Sequence, residues 1–124
     1  MTFTIIVSLM AMARVAIGVS PFLAAGWSSR LVGFPRAHDN PTARLMARMF
    51  GVRDAGLGIL ALYALGHPDT ITFLFLFNAA MDLGDLASVA VPLAGRHGID
   101  RAAVVSGALA TIGACSWIVA WLAA

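Results

Sequence analysis

The sequence predicts an all-α membrane protein: a bundle of four transmembrane helices with both termini on the non-cytoplasmic side. Of its 124 residues, 60% are hydrophobic and only 11% are charged, whereas soluble domains carry about a quarter charged residues. The mean hydropathy is +0.90. Because one span needs about 20 residues to cross the hydrocarbon core, we expect residues 1–124 to form a single four-span domain.

Turn and capping signals separate the first two apolar segments. Gly26 ends the first segment, and a loop or short surface helix over residues 30–41 follows it. Asn40 or Thr42 is suited to cap the second helix, because a side-chain oxygen there can accept a hydrogen bond from a free backbone N–H. Gly66 is then the expected C-terminal cap.

Similar signals bound the last two segments. Asp69-Thr70 is the expected cap of the third helix and Pro92 its end, and Asp100 is the expected cap of the fourth. Trp117 and Trp121 are predicted to anchor the fourth helix at the membrane interface. The predicted spans are residues 3–25, 42–65, 70–92 and 101–122.

Basic residues in the loops predict the orientation. Arg30 and Arg36 lie between the first two spans, Arg96 and Arg101 lie between the last two, and the remaining loop and both termini carry none. Because cytoplasmic loops are enriched in Arg and Lys, both termini are predicted outside. Every basic residue is Arg and every acidic residue is Asp, a composition typical of high-GC bacteria, so we expect a multi-pass protein of the bacterial inner membrane.

Several functional classes find no support in the sequence. The single Cys115 excludes an internal disulfide, and no basic patch indicates a nucleic-acid partner. The histidines His38, His67 and His97 lie in loops on both sides of the membrane, so no metal site is expected. No cofactor motif is visible, and the expected surroundings are the lipid bilayer and other membrane proteins.

Charged and polar residues lie deep inside three of the predicted spans. An ionisable group in hydrocarbon costs about 3 kcal/mol on insertion scales, so these residues are expected to pair with one another inside the bundle. On the third span, Asn78, Asp82 and Asp85 share one helix face because they are spaced four and three residues apart. The predicted buried polar cluster is Arg14, Arg48, Arg53, Asp54, Asn78, Asp82 and Asp85.

Two interpretations of this cluster stay open. Its three arginines equal its three aspartates in number, so the cluster can be neutral and can serve only to tie the helices together. Alternatively, it lines a polar cavity that binds a ligand, a proton or a partner, as intramembrane charges often do. Arg53 and Asp54 lie about 100° apart on a helix and are therefore predicted to meet different neighbours.

Small residues mark faces where helices can approach closely. Gly51, Ala55 and Gly58 share one face of the second span, and Gly18 lies on the same face of the first span as Arg14. The predicted helix-packing residues are Gly18, Gly51, Ala55, Gly58 and Gly107.

The segment Arg48-Met49-Phe50-Gly51-Val52-Arg53-Asp54-Ala55-Gly56-Leu57-Gly58 resembles a known element. A broad group of small bacterial four-helix integral membrane proteins, classed as a domain of unknown function, has Arg-x-x-Gly-x-Arg-Asp-x-x-Leu-Gly in the second span. The stretches Arg14–Pro21 and Asp82–Asp85 are similar to that group as well. The resemblance implies the four-helix architecture over most of the chain and implies no activity.

Three functional hypotheses follow. The first is a non-catalytic integral membrane protein, an accessory subunit or a binder that uses the Arg/Asp cluster, in a homo-oligomer or a larger membrane complex. The second is a small dimeric transporter of protons or a polar substrate through Arg53, Asp82 and Asp85. The third is a membrane enzyme with an Asp general acid that acts on a lipid or isoprenoid-like substrate. No residues at catalytic spacing single out the third, so no catalytic residue is predicted.

Overall fold

Four α-helices joined by short turns make up the fold. The computed structural model describes residues 1–124, and the turns Arg36–His38 and Pro68–Thr70 are short 3-10 helices that precede the second and third α-helices. The chain has no strand, which confirms the prediction of an all-helical fold. The helices are α1 (Thr2–Val32), α2 (Pro41–Leu65), α3 (Ile71–Gly95) and α4 (Asp100–Leu122).

Three helical segments are long and apolar enough to cross a membrane, so the chain has the character of a membrane protein. α2 has a suitable length of 25 residues, but it carries four charged side chains and is not among the three. Large apolar side chains such as Leu23 and Phe73 are exposed on the outside of the bundle, as expected where helices face lipid. The three segments are Thr2–Val32, Pro68–Gly95 and Asp100–Leu122.

α1 has a kink at Ala24 (φ −154°, ψ 66°), where two helical segments meet, one residue before the predicted end of the first span at Ala25. The second segment continues beyond that predicted end to Val32. Gly26 lies just after the kink. It gives the following loop room to approach, since a Cβ there would lie 2.9 Å from Asp39 Oδ2. α1 ends at Gly33, whose φ of 104° forms the left-handed C-cap that glycine favours.

The other helix ends lie close to the predicted ones. Asn40 caps α2, with its Oδ1 accepting a hydrogen bond from the Ala43 N–H over 2.9 Å. α3 runs past Pro92 to Gly95, because a proline in the last turn removes only one backbone hydrogen bond. Asp100 is the first residue of α4 and makes no side-chain cap, so its predicted role as a cap is wrong.

The helices pair into two hairpins. α1 packs closely along α2, and α3 along α4, while the backbones of the two pairs approach each other at few points and meet mainly through side chains. In the first hairpin, Gly18 lies directly against the backbone of Gly51 and Ala55. Gly58 and Ala11 continue this line of small residues, which we call the seam of the first hairpin. A Cβ on Gly58 would lie 2.6 Å from the Ala11 carbonyl oxygen. These contacts bring the backbones of α1 and α2 together as small-residue faces allow.

The second hairpin has its own close contacts. A Cβ on Gly107 would lie 3.3 Å from Val89 Cγ2, and one on Gly113 would lie 2.5 Å from Asp82 Oδ2. Gly113 therefore leaves the space that the Asp82 carboxylate occupies between α3 and α4.

An aromatic core closes the end of the bundle at which the chain begins and ends. The ring centroids of Phe75 and Trp117 are 5.5 Å apart, and those of Phe3 and Phe75 are 6.4 Å apart. Trp117 is only 2% exposed, so its predicted role as an interface anchor is wrong. It packs against Phe75 of α3 within the second hairpin.

Candidate binding cleft between the two hairpins

Arg14 joins three helices through one buried guanidinium. Its Nη1 donates a hydrogen bond to Asp82 Oδ2 over 2.9 Å, and its Nη2 lies 2.8 Å from Asp82 Oδ1. Its Nε lies 2.9 Å from Asp54 Oδ1. Only the Nη1 contact has hydrogen-bond geometry, and the other two are ion pairs by distance. All three side chains are at most 9% exposed. The Arg14 guanidinium is therefore the counter-ion of both buried carboxylates.

The glycine contacts of the first hairpin explain why Arg14 reaches Asp54. α1 and α2 run antiparallel, and Gly18 touches Gly51. A residue one turn before Gly18 therefore lies beside a residue one turn after Gly51. Arg14 and Asp54 occupy these two positions, so the small-residue seam sets the position of the ion pair.

A second ion pair links α2 and α3. Arg53 Nη2 donates to Asp85 Oδ2 over 2.6 Å, and the Arg53 guanidinium carbon lies 4.5 Å from the centroid of the Phe50 ring. These side chains are more open than the first set, at 37% and 24% exposure. Arg53 pairs with α3 and Asp54 with α1. This agrees with the prediction that the two residues contact different helices, because consecutive residues point about 100° apart on a helix.

Two members of the predicted cluster lie apart from these ion pairs. Asn78 is fully buried and donates from Nδ2 to the Leu74 carbonyl over 2.9 Å, while its Oδ1 has no hydrogen-bond partner. Arg48 is half-buried and forms no ion pair with any aspartate. The structure therefore does not bring Arg48 into the cluster, and the pairing is not three arginines with three aspartates.

The two sets of ion pairs lie in a cleft of about 620 Å³ between the hairpins. Its charged lining consists of two arginines and three aspartates, so one carboxylate is in excess when all five groups are ionised. Apolar side chains form most of the remaining wall. The charged lining residues are Arg14, Arg53, Asp54, Asp82 and Asp85, and the apolar ones include Met10, Ile17, Phe50, Leu109, Ile112 and Trp117.

Several cleft residues carry no sequence signal that could have found them. Ser106 and Gly113 lie among many small residues of α4, and helix periodicity alone does not say which of these face the cleft. No group of three His, Cys, Asp or Glu side chains is placed to hold a metal ion. The groups available for chemistry are therefore the carboxylates, the guanidinium groups and a few hydroxyls.

Comparison with known proteins identifies a family. The family model described as a domain of unknown function, DUF4267, matches residues 11–123, a range that includes every charged residue of the cleft. Searches of curated proteins and of solved structures gave no significant match. The resemblance to a family of unknown function is thus confirmed at that level, and the chain belongs to the DUF4267 family.

Proposed function

We propose that this protein is a non-catalytic integral membrane protein that binds a small amphiphilic molecule in the cleft between its two hairpins. The observation that carries the proposal is the cleft itself, in which buried charges are set within apolar walls. Its volume of about 620 Å³ falls in the range of small-molecule sites, which are mostly apolar with a few fixed polar groups. A molecule with a polar head and an apolar body matches such a lining.

Binding accounts for the cleft better than catalysis does. No histidine lines it, and both guanidinium groups are held in ion pairs. The backbones of the two hairpins approach each other at few points, which leaves a path for a molecule to enter from the bilayer between them. The ion pairs then have two roles, because they hold the hairpins together and supply the polar end of the site.

We further propose that all four helices span a bacterial inner membrane with both termini outside. A Cβ on Gly33, at the end of α1, would lie 2.9 Å from Arg101 Cγ at the start of α4. The two arginine-bearing turns therefore lie at the same end of the bundle, and the positive-inside rule favours the cytoplasm for that end.

The orientation is tested with single cysteines placed at Ala37 and at Asp69 in a Cys115→Ser background. In intact cells, a membrane-impermeant thiol reagent should label the cysteine at position 69 and not the one at position 37.

The cleft is tested by filling it. Ser106 lines the cleft from α4, whereas Ala108 is exposed on another side of the same helix. Ser106→Phe should therefore remove bound small molecules that Ala108→Phe retains, as measured by native mass spectrometry after extraction in lipid nanodiscs. Equal retention in both variants would place the ligand elsewhere, and a wild-type protein that carries no small molecule would contradict the binding function.

The excess carboxylate favours one alternative, a small dimeric transporter coupled to protons. Four helices enclose little space, so this function requires a second copy of the chain. Proteoliposomes with a trapped pH-sensitive dye would show a proton flux that Asp85→Asn removes and Asp39→Asn retains. A monomer in the membrane, or a flux equal in both variants, would exclude it.

A further inference from the structure

We infer that the ligand of the cleft is a protonated amine that carries one long apolar chain. This inference rests on the proposed binding function and names the chemical class of the molecule bound. It follows from three observations, namely the charge balance of the cleft, the free carboxylate oxygens in it, and an apolar groove that continues from it.

The charge balance favours a cation. Arg14 is shared between Asp54 and Asp82, and Arg53 is paired with Asp85. The only other cationic side chain in the interior part of α2, Arg48, is neither paired with these aspartates nor part of the cleft wall. When all five groups are ionised, one negative charge is left without a protein counter-ion in a region where an unpaired charge is costly, and a ligand with one positive charge neutralises it.

Free acceptor atoms mark the place for that charge. Asp54 places Oδ1 2.9 Å from Arg14 Nε, and neither oxygen of this carboxylate accepts a hydrogen bond. Asp85 Oδ2 accepts a hydrogen bond from Arg53 Nη2, whereas Asp85 Oδ1 accepts no hydrogen bond. Both residues line the cleft. An ammonium group has three N–H donors and no acceptor, which suits a site that offers carboxylate oxygens free of hydrogen bonds.

An apolar groove provides the place for the chain. A groove of about 330 Å³ lies between α1 and α4 and shares Met10 and Ser116 with the cleft. Eight of its nine lining residues are hydrophobic, and it reaches Phe3 near the start of α1. From Arg14 to Phe3 the helix rises roughly 16 Å, at about 1.5 Å per residue, so a single extended chain fits along it. The head would lie at mid-depth and the chain would point toward the termini.

The test compares two probes that differ only in charge. Protein in phosphatidylcholine nanodiscs is titrated with dodecylamine, which is protonated at pH 7, and with 1-dodecanol. Adducts are counted by native mass spectrometry, and partitioning into protein-free nanodiscs is measured in parallel and subtracted. We expect the amine to bind about tenfold more tightly or better, because hydrogen bonds to charged groups are among the stronger ones in proteins.

Matched variants locate the effect. Asp54→Asn should abolish the preference for the amine while dodecanol still binds, and Asp39→Asn, outside the cleft, should leave the preference intact. Equal affinity for both probes in the wild-type protein would overturn the amine inference and leave the binding function standing. Failure of both probes to bind would contradict the binding function as well. The wild-type comparison decides the question even where Asp54→Asn does not fold.

Discussion

Arg14 of α1 and Asp82 of α3 form a two-point ion pair across the gap between the hairpins. Nη1 and Oδ2 are 2.9 Å apart, and Nη2 and Oδ1 are 2.8 Å apart. The first contact is a hydrogen bond and the second is an ion pair by distance only. Together with the Arg53–Asp85 ion pair and the apolar core that both hairpins share, this pair fixes how one hairpin sits on the other.

Removal of the Asp82 carboxylate should therefore destabilise the bundle strongly. We expect Asp82→Ala to lower the free energy of unfolding by about 3 kcal/mol, since it leaves Arg14 with one aspartate in place of two in a buried setting. Arg53→Ala should cost about 1 kcal/mol, because its ion pair is partly exposed. Thermal unfolding in mild detergent measures both. Arg36→Ala, in the exposed turn before α2, is the control, and an equal loss in this variant would refute a structural role for the cluster.

The seam of the first hairpin should be sensitive to a single methyl group. At Gly18 an added Cβ meets the backbone of Ala55 and Gly51, and at Gly51 it meets the Gly18 carbonyl oxygen. Because backbone atoms cannot move aside, we expect Gly18→Ala and Gly51→Ala each to lower the stability by about 2 kcal/mol. Gly56 and Gly84 have open space around them. Alanine there should be neutral or stabilising by up to about 1 kcal/mol, from helix propensity alone. Similar losses at all four glycines would show that α1 and α2 do not cross here.

Gly113→Ala should act through the ion pair. Its new Cβ would lie 2.5 Å from Asp82 Oδ2, so the carboxylate must turn away from Arg14 or α4 must move. We expect a loss of about 1–3 kcal/mol, as for other overpacked sites. In an Asp82→Ala background, which removes the atoms that the new Cβ would meet, much of this loss should disappear, and a double-mutant cycle measures that coupling. Additive effects would mean that Gly113 and Asp82 do not interact.

An ion pair joins the turn before α2 to the first turn of that helix, and the titration of its carboxyl group can be followed. Arg44 Nε lies 2.7 Å from Asp39 Oδ1, and this hydrogen bond holds the pKa of the Asp39 carboxyl below its ordinary value. A carboxyl with a depressed pKa in the folded state stabilises the fold above its unfolded pKa and loses that effect as the pH falls through the folded one. Carbon-detected NMR should therefore show a midpoint for Asp39 below the ordinary value. Arg44→Met should raise it, whereas Arg36→Met should not.

The sequence predicts where the helices of this protein lie along the chain far better than it predicts which side chains of different helices meet. The start of α2 follows from Asn40 and Pro41, which act locally. Gly26 lies two residues after the kink at Ala24, and a second helical segment that no local signal predicts continues from there to Val32. Helix periodicity places Asp82 and Asp85 on one face, yet it does not say that Arg14 serves aspartates on two different helices. Equal numbers of charges suggested three pairs, and the fold leaves Arg48 out. Which faces meet is a property of tertiary packing, which no local pattern contains.

The charges of α2 bear on how the chain enters the bilayer during synthesis. Each Arg or Asp near the middle of an inserting helix costs about 2.5–3.5 kcal/mol, and in the four-span arrangement proposed above α2 carries both Arg53 and Asp54 there. α1 carries Arg14 and no acidic residue of its own. The counter-ion of Arg14 within the first hairpin is Asp54 on α2. We expect neither helix to leave the translocon singly, so insertion of α1 waits until Asp54 has been synthesised and the two helices enter lipid together.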